Sequence, residues 1–593
     1  MEHTNLLFTL LSCIFFMGLI AWISYLKTKG HASDTKGYFL AGRGLTGIFI
    51  AGALLLTNLS AEQLIGLNGQ AYRSNLTNMA WEVTAAFSVI IMALYLLPKY
   101  LGGAFTTLPE FLSSRYGEGV RRYTVVLFML GYILVTIPST LYSGALSILK
   151  LFDVPELFGI SYEHSVWLLV WIIGISGGVL AIFGGAKAVA TSDTLYGIGL
   201  LIVGLLVPVL GFIALGKGDI VSGMKYIVEH NPEKLNAIGS AKDSVPFGTI
   251  FTGMIFANLF YWGTNQYVIQ RALGAKNLAE GQKGVLFTGF FKLLIPLFMM
   301  IPGIISFHLY GPGMDPVDLA YPALVAKLLP KYLLGFFLAV LLGAVFSSFN
   351  ALINSASTMF TIDIYKQQIN PNADDKRLVK VSKIFGTAIA FVSFFVSPLL
   401  MNAPEGLWDL IRRFTGFFNI PIITIVLVGI FSRYIPEIAA KVVIVFHVIA
   451  YYMLVWGLEQ IFGYKLDIHF IHIYAILFVV EVAIMMVIGK IRPRKEPYVY
   501  KVNSGVEMIP WKYSIATAVV LFSLVVMMYV FFSPIGLAYG KGYVSSLFWP
   551  VMIAIVTITA IALYFSVTRW NKKYADSLRK QHSKIVRDEK MVI

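Results

Sequence analysis

Within the apolar stretch from Ile48 to Tyr72, the run Thr57-Asn58-Leu59-Ser60-Ala61-Glu62-Gln63 puts amides, hydroxyls and a carboxylate at the middle of a membrane-length segment. In hydrocarbon every peptide group needs a partner within the protein, so a helix is interrupted there only beside other protein or a watery cavity. Polar side chains at that depth mark a path or a site. Secondary transporters use such an interruption to hold a polar solute and an ion near the midplane. The chemistry on offer is hydrogen bonding to a polar solute and oxygen ligation of a hard cation. Successive helical residues point about 100° apart, so Glu62 and Gln63 do not both face one cavity squarely. In the alternative reading, one of them caps the interrupted helix and the other meets headgroups.

A second interrupted span falls at 248–270, around Asn258, Tyr261, Asn265 and Gln266, about five spans after the first. Two interrupted helices, each opening a block of five, suggest an inverted repeat with a site between the halves. Glu82 follows Trp81 at the start of a long apolar run, where it is either an interfacial acid beside a belt aromatic or a cavity group. Lys292 sits about nine residues into its span, roughly 14 Å at 1.5 Å per residue. That is far for a lysine to snorkel, so it calls for a polar interior with partners. Glu82, Gln63 and Asn258 are the candidates. Ser347 and Ser348 lie in a run of small residues beginning Gly343-Ala344. Such serines bond back to their own helix or permit close packing; the alternative is that they supply hydroxyl ligands to a monovalent cation.

The elements that must position these groups are membrane helices. The chain is 58% hydrophobic and 13% charged, with mean hydropathy +0.76, against about 25% charged residues in a soluble domain. Apolar stretches of about 20 residues predict some fifteen spans: 5–26, 48–72, 79–101, 123–150, 163–185, 188–216, 248–270, 283–309, 331–364, 379–401, 407–432, 436–458, 468–489, 513–533 and 546–568. The first is long enough to span and lacks the basic leader of a cleavable signal. The net charge of +15 is not the footprint of a nucleic-acid binder, because the bases cluster on one side. Lys27, Lys29 and Lys36 share a side with Arg115, Arg121 and Arg122, with Lys376, Arg377 and Lys380, and with the tail from Arg569 to Lys590. By the positive-inside rule that side is cytoplasmic and the N-terminus lies outside. The single Cys13 excludes a disulfide framework and a cysteine metal site. No phosphate-binding loop, His-Glu-x-x-His or Gly-x-Ser-x-Gly motif is present, so the chain carries no sign of an enzyme or an ATP-driven pump.

Taken in order, the segment Tyr38 to Arg43, Asn58 to Gln63, Asn258 to Gln266, Gln270-Arg271, Gln282 to Gly284, Phe291-Lys292 and Ser347-Ser348 resemble the solute:sodium symporter family. The likeness is closest to its sodium/glucose and sodium/galactose cotransporters. It runs from about residue 36 to 433 and weakens over the last four spans. The resemblance implies an all-α polytopic membrane protein with a LeuT-type five-plus-five inverted-repeat core and flanking helices. Residues 1–35 would form an N-terminal flanking helix, 36–433 the ten-helix core, 434–568 four C-terminal flanking helices and 569–593 a basic cytoplasmic tail. It further implies sugar ligands at Asn58, Gln63, Glu82, Asn258 and Lys292, with Tyr261 as the inner gate and Trp81 and Phe260 beside them. Sodium would be held by the carbonyls of Leu56, Leu59 and Ala344 and the hydroxyls of Ser347 and Ser348, with Asp193 linked to sodium coupling.

The chain also departs from the family pattern. Arg412 stands where the sugar carriers have Gln, Ala85 replaces a small hydroxyl residue, and Phe260 takes a place often held by Tyr. Asn350 and Ala351 replace two serines of an additional sodium site found in some relatives. An Arg412 facing the cavity would fork onto an acidic group; an Arg412 paired with Asp409 at i−3 would be structural. With the latter pairing, the expected function is sodium-coupled symport of a neutral hexose such as galactose or glucose, by alternating access. The alternative is an acidic or sulfated sugar, or another small organic solute. The expected partners are a sugar, Na+ and the lipid bilayer of the inner (plasma) membrane, with no nucleic acid and no evident protein partner.

Overall fold

The computed structural model describes residues 3–28, 43–315, 317–402, 407–500, 505–540 and 543–590. The motif residues Tyr38 to Gly42 lie outside them. Among the described residues the chain is helical, with only two isolated bridges, Leu45 to Ala275 and Asn277 to Glu507. Among the described residues, eleven helices are long and apolar enough to cross a bilayer. The N-terminal helix, two interrupted crossings and the first part of one long helical stretch account for the other four of the fifteen expected spans.

The crossings in chain order are α1 (His3–Thr28), α2 and α3 (Gly47–Asn58 and Ala61–Arg73), α4 (Leu76–Gly102), α5 (Glu118–Leu149) and α6 (Tyr162–Leu215). The second block has α7 and α8 (Gly253–Gly263 and Gln266–Leu273), α9 (Leu278–Tyr310), α10 (Lys331–Ile369), α11 (Asp375–Met401) and α12 (Leu407–Phe431). Then follow α13 (Glu437–Phe462), α14 (Phe470–Ile491), α15 (Ser514–Phe531) and α16 (Phe548–Lys590). The two spans expected at 163–185 and 188–216 are carried by the one helical stretch α6, in which, among the described residues, Leu195–Leu215 has the length and apolarity to cross.

The helices bend where the sequence requires it. Pro98 and Pro138 lack an amide proton and crowd the carbonyl four residues back. In each case that carbonyl, of Leu94 or Leu134, lies in a π turn, Met92–Leu96 or Tyr132–Thr136, which widens the helix to admit the ring. Burial locates the centre: 89% of the apolar window of α10 is buried and none of that of α16. The broken helix α2/α3 lies against α10, α6 and α9. Close approach depends on glycine at Gly303, where a Cβ would stand 2.0 Å from the Asn68 carbonyl oxygen. There the Gly303 N–H donates to Asn68 Oδ1 at 2.8 Å and joins α9 to α3.

Two arginines expected as loop charges are buried. Arg115 donates to the carbonyls of Gly429, Ser432 and Ile435 at 2.8, 2.5 and 3.2 Å. It thereby covers the end of α12, where helix carbonyls lack intrahelical donors. Arg121 pairs with Asp363 at 2.5 Å, and Thr107 Oγ1 donates to the same carboxylate at 3.1 Å. This pair ties the start of α5 to the end of α10.

Candidate functional site

The first helix breaks at Leu59–Ser60. The Leu59 N–H still reaches the Leu55 carbonyl at 2.6 Å, but the Ser60 N–H turns to the Asn58 carbonyl at 2.9 Å. The Leu56 carbonyl therefore loses its usual i+4 donor. The ladder of α3 restarts with the Leu64 N–H on the Ser60 carbonyl, which leaves the Leu59 carbonyl ahead of it. The second helix breaks at Thr264–Asn265, where both amides converge on the Phe260 carbonyl at 2.9 and 2.8 Å. Asn265 Oδ1 accepts from the Tyr132 hydroxyl at 2.6 Å.

The breaks meet across a cavity of about 60 Å³. That is room for a few waters, short of the roughly 300 Å³ or more of an open ligand pocket. Asn58, Gln63, Trp81, Phe260, Tyr261 and Arg412 line it. Glu82, Asn258 and Lys292 stand behind the wall. Lys292 Nζ donates to Glu82 Oε2 in a contact buried on both sides, and Gln63 Nε2 donates to Glu82 Oε1 at 2.9 Å. Lys292 also lies over the Trp262 ring, 5.0 Å from its centre. The ion pair thus fixes the Gln63 amide with its oxygen free. Asn258 goes elsewhere: its Nδ2 donates to Thr84 Oγ1 at 3.0 Å, so it is not a partner of Lys292. Tyr261 joins the breaks, its hydroxyl accepting from Asn58 Nδ2 at 3.1 Å and from the Tyr267 hydroxyl at 2.7 Å. The amide oxygens of Asn58, Gln63 and Asn419 are buried without a hydrogen-bond partner.

Arg412 is not paired with Asp409. That carboxylate accepts from Arg413 Nε at 2.6 Å, one helical turn on. Arg412 instead turns inward between two indoles, its Cζ 4.5 Å from the Trp81 ring centre and 4.0 Å from that of Trp408. Its ionic contact is with Glu82 Oε1 at 4.0 Å, and its Nε has no partner. The preference is physical: Arg413 lies at the i+4 position from Asp409, and the aromatic faces attract the Arg412 cation.

Ala344, Ser347 and Ser348 share one face of α10, spaced i, i+3 and i+4, and all three are buried. Many serines and threonines in the spans bond back to their helix, such as Ser139 to the Val135 carbonyl and Ser147 to that of Ser143, although Ser355, Ser357 and Thr361 further along α10 do not. The Ser347 and Ser348 hydroxyls have no partner, so the back-bonded alternative does not describe them. They offer oxygen ligands beside a break whose Leu56 and Leu59 carbonyls have lost their regular donors. The Asp193 side chain lies outside the described residues. Among those residues no cluster of three or more His, Cys, Asp or Glu is placed to hold a metal ion.

Sequence reasoning passed over Thr136, Tyr267, Trp408 and Asn419, which line the cavity, and left Glu62 as an alternative. Glu62 faces Thr140 Oγ1 at 3.4 Å. The α12 members were recoverable: Trp408, Ile411, Arg412, Thr415, Phe418 and Asn419 recur at helical spacing on one face. A larger apolar cavity, about 530 Å³, lies between α5, α11, α12 and α13 and has no charged lining, which suits hydrocarbon rather than a polar solute.

Comparison with known proteins identifies relatives and a similar fold. The chain is 42% identical over 567 residues to the symporter YidK of Escherichia coli K12, covering 95% of this chain and 97% of that one. It is 30% identical over 446 residues to the sodium/glucose cotransporter of Vibrio parahaemolyticus, 70% of this chain and 78% of that one. It is similar in structure to a Na+-coupled sialic acid symporter, with TM-score 0.70 at 19% identity over 82% of this chain and 99% of that one. The fold is therefore of the LeuT type, with the inverted-repeat core expected from the sequence. The profile of the Sodium:solute symporter family matches residues 38–440. By that match and by these relatives, the chain belongs to the sodium:solute symporter family, multi-pass membrane carriers in which Na+ is the coupling ion for a small solute.

Proposed function

We propose that the transported solute is a sugar, bound between the two helix breaks and carried inward by alternating access. The observation that supports this reading is the set of three buried amide oxygens, on Asn58, Gln63 and Asn419, that lack donors. A buried acceptor left unpaired is costly, and a polyol brings a row of hydroxyl donors. Trp81, Tyr261 and Trp408 add aromatic faces for its C–H surface. Relatives named as sodium/glucose and sodium/myo-inositol cotransporters carry polyhydroxy solutes.

In this reading Na+ binds to Ser347, Ser348 and the carbonyls of Leu56, Leu59 and Ala344, with Asp193 coupled to its release. It ties α2/α3 to α10 and shapes the break for sugar. Sugar then bridges Gln63, Asn58 and α12, and Tyr261 yields as the inner gate. Coupling is reciprocal, because both ligands favour the same shape. The N-terminus lies outside and the basic tail in the cytoplasm. One charge crossing 100 mV supplies about 2.3 kcal/mol, and a tenfold sodium gradient adds about 1.4 kcal/mol. Together these allow roughly 500-fold accumulation of an uncharged sugar per sodium.

The test is uptake into proteoliposomes with and without an inward sodium gradient, using neutral and acidic sugars, inositol and amino acids. Sodium-driven accumulation confined to the polyhydroxy solutes is expected; accumulation of an amino acid in their place would reject the sugar reading.

A further inference from the structure

Among the described residues Arg412 is the one cation lining the cavity, and its charge is incompletely answered by its neighbours there. Lys292 and Glu82 form a closed pair in the wall, with Gln63 on the second oxygen of the same carboxylate. Arg412 reaches that already shared oxygen only at 4.0 Å. Its natural helical partner, Asp409, is taken by Arg413. Glu62 lines the same cavity, but no ion pair within 4 Å joins it to Arg412, and its Oε1 faces Thr140. The indoles of Trp81 and Trp408 hold the guanidinium plane in place, while Nε remains unpartnered. Arg412 is largely enclosed, and a cation there whose ionic contact is a shared carboxylate oxygen 4.0 Å away is weakly compensated. A guanidinium fixed in this way is suited to accept a planar or tetrahedral anion through two parallel hydrogen bonds.

We propose that Arg412 binds an acidic group on the solute, so that the transported sugar is a monoanion bearing one carboxylate or sulfo group. The assignment rests on the symport reading above. The sugar hydroxyls would meet Asn58, Gln63 and Asn419, and the acidic group would lie toward α12. The neutral hexose expected from the sequence assumed that Asp409 occupied Arg412, and the structure removes that assumption.

The experiment is sodium-driven uptake by the full chain in proteoliposomes of glucuronate, glucose 6-sulfate, glucuronamide and galactose. Glucuronamide keeps the size of glucuronate and drops its charge. The expected result is half-saturation for glucuronate or the sulfate ester about tenfold or more below that for glucuronamide. In Arg412→Gln the half-saturation for the anion rises by about the same factor, and that for glucuronamide barely moves. Galactose or glucuronamide taken up as well as the anions by the wild type would overturn the assignment and leave sugar symport standing. So would an Arg412→Gln variant that loses the amide and the acid equally. No sodium-driven uptake of any of the four would overturn both readings. If Arg412→Gln does not fold, the wild-type comparison of acid with amide decides the matter alone.

Discussion

Lys292 and Glu82 are each almost wholly buried, and neither can be removed alone without stranding the other. Lys292→Ala is expected to cost up to about 3–5 kcal/mol of stability by leaving the buried Glu82 with only the Gln63 amide and the more distant Arg412, so its loss of uptake would report on folding as much as on binding. The double variant Lys292→Met/Glu82→Leu should recover the melting temperature while saturable uptake stays lost, because the Gln63 amide then has no acceptor to orient it. Recovery of both would show that the pair does not position the solute ligand. Ser348→Ala tests the ion site in the same spirit: half-saturating sodium should rise severalfold, with solute affinity at saturating sodium unchanged. An unaltered sodium dependence would remove this hydroxyl from the site. At this scale the sequence was legible where chemistry and depth agree. Lys292 needed a buried partner, and Glu82 is that partner. The fate of Arg412 was not legible, because Asp409 has two arginines within helical reach and only the surrounding indoles decide between them. Tyr267 gave no signal either, since it follows a break and periodicity does not carry across it.

Among the elements, the two breaks were visible as polar runs in apolar stretches, although their positions, Leu59–Ser60 and Thr264–Asn265, needed the backbone. What holds the flanking helices to the core was not visible. His447 on α13 meets Glu481 on α14 at 2.5 Å and the Gly416 carbonyl on α12 at 2.9 Å, while Thr424 of α12 donates to Glu481 at 2.7 Å. His447 and Glu481 lie far apart in sequence within apolar stretches, and nothing in spacing links them. Glu481→Leu should lower the melting temperature in detergent more than Glu481→Gln, which retains an acceptor for His447; equal effects would reject the three-helix tie. At one end of the bundle, the segment between α6 and α7 places Lys234 Nζ on the Tyr72 carbonyl, the last turn of α3, at 2.7 Å and over the Phe307 ring. Burial pulls this lysine down from its ordinary 10.5 to about 8, with Glu233 opposing the shift. The folded protein therefore releases this proton before the unfolded chain does, and the Lys234 contribution to stability rises with pH between about 8 and 10.5. Melting of wild type against Lys234→Met across that window checks the sign: the difference should shift in favour of wild type as pH rises.

For the whole molecule, composition alone excluded a soluble protein, and the spacing of the breaks suggested the five-plus-five plan that the fold displays. The periphery was less legible, because a span read from hydropathy looks the same whether it faces protein or lipid. α16 has none of its apolar window buried and touches mainly α15, through Thr559 on Ser523, with Trp570 on the Lys512 carbonyl just ahead of that helix. Truncation before residue 543 should thus leave sodium-driven uptake intact; its loss would assign α16 a part in the cycle. The small volume between the breaks has a kinetic consequence. A hexose does not enter a space that holds only a few waters, so the walls must part before each encounter succeeds. Binding measured by rapid mixing should then level off as solute is raised, at a ceiling set by the frequency of opening rather than by collision. Sodium, by favouring the parted form, should lift that ceiling.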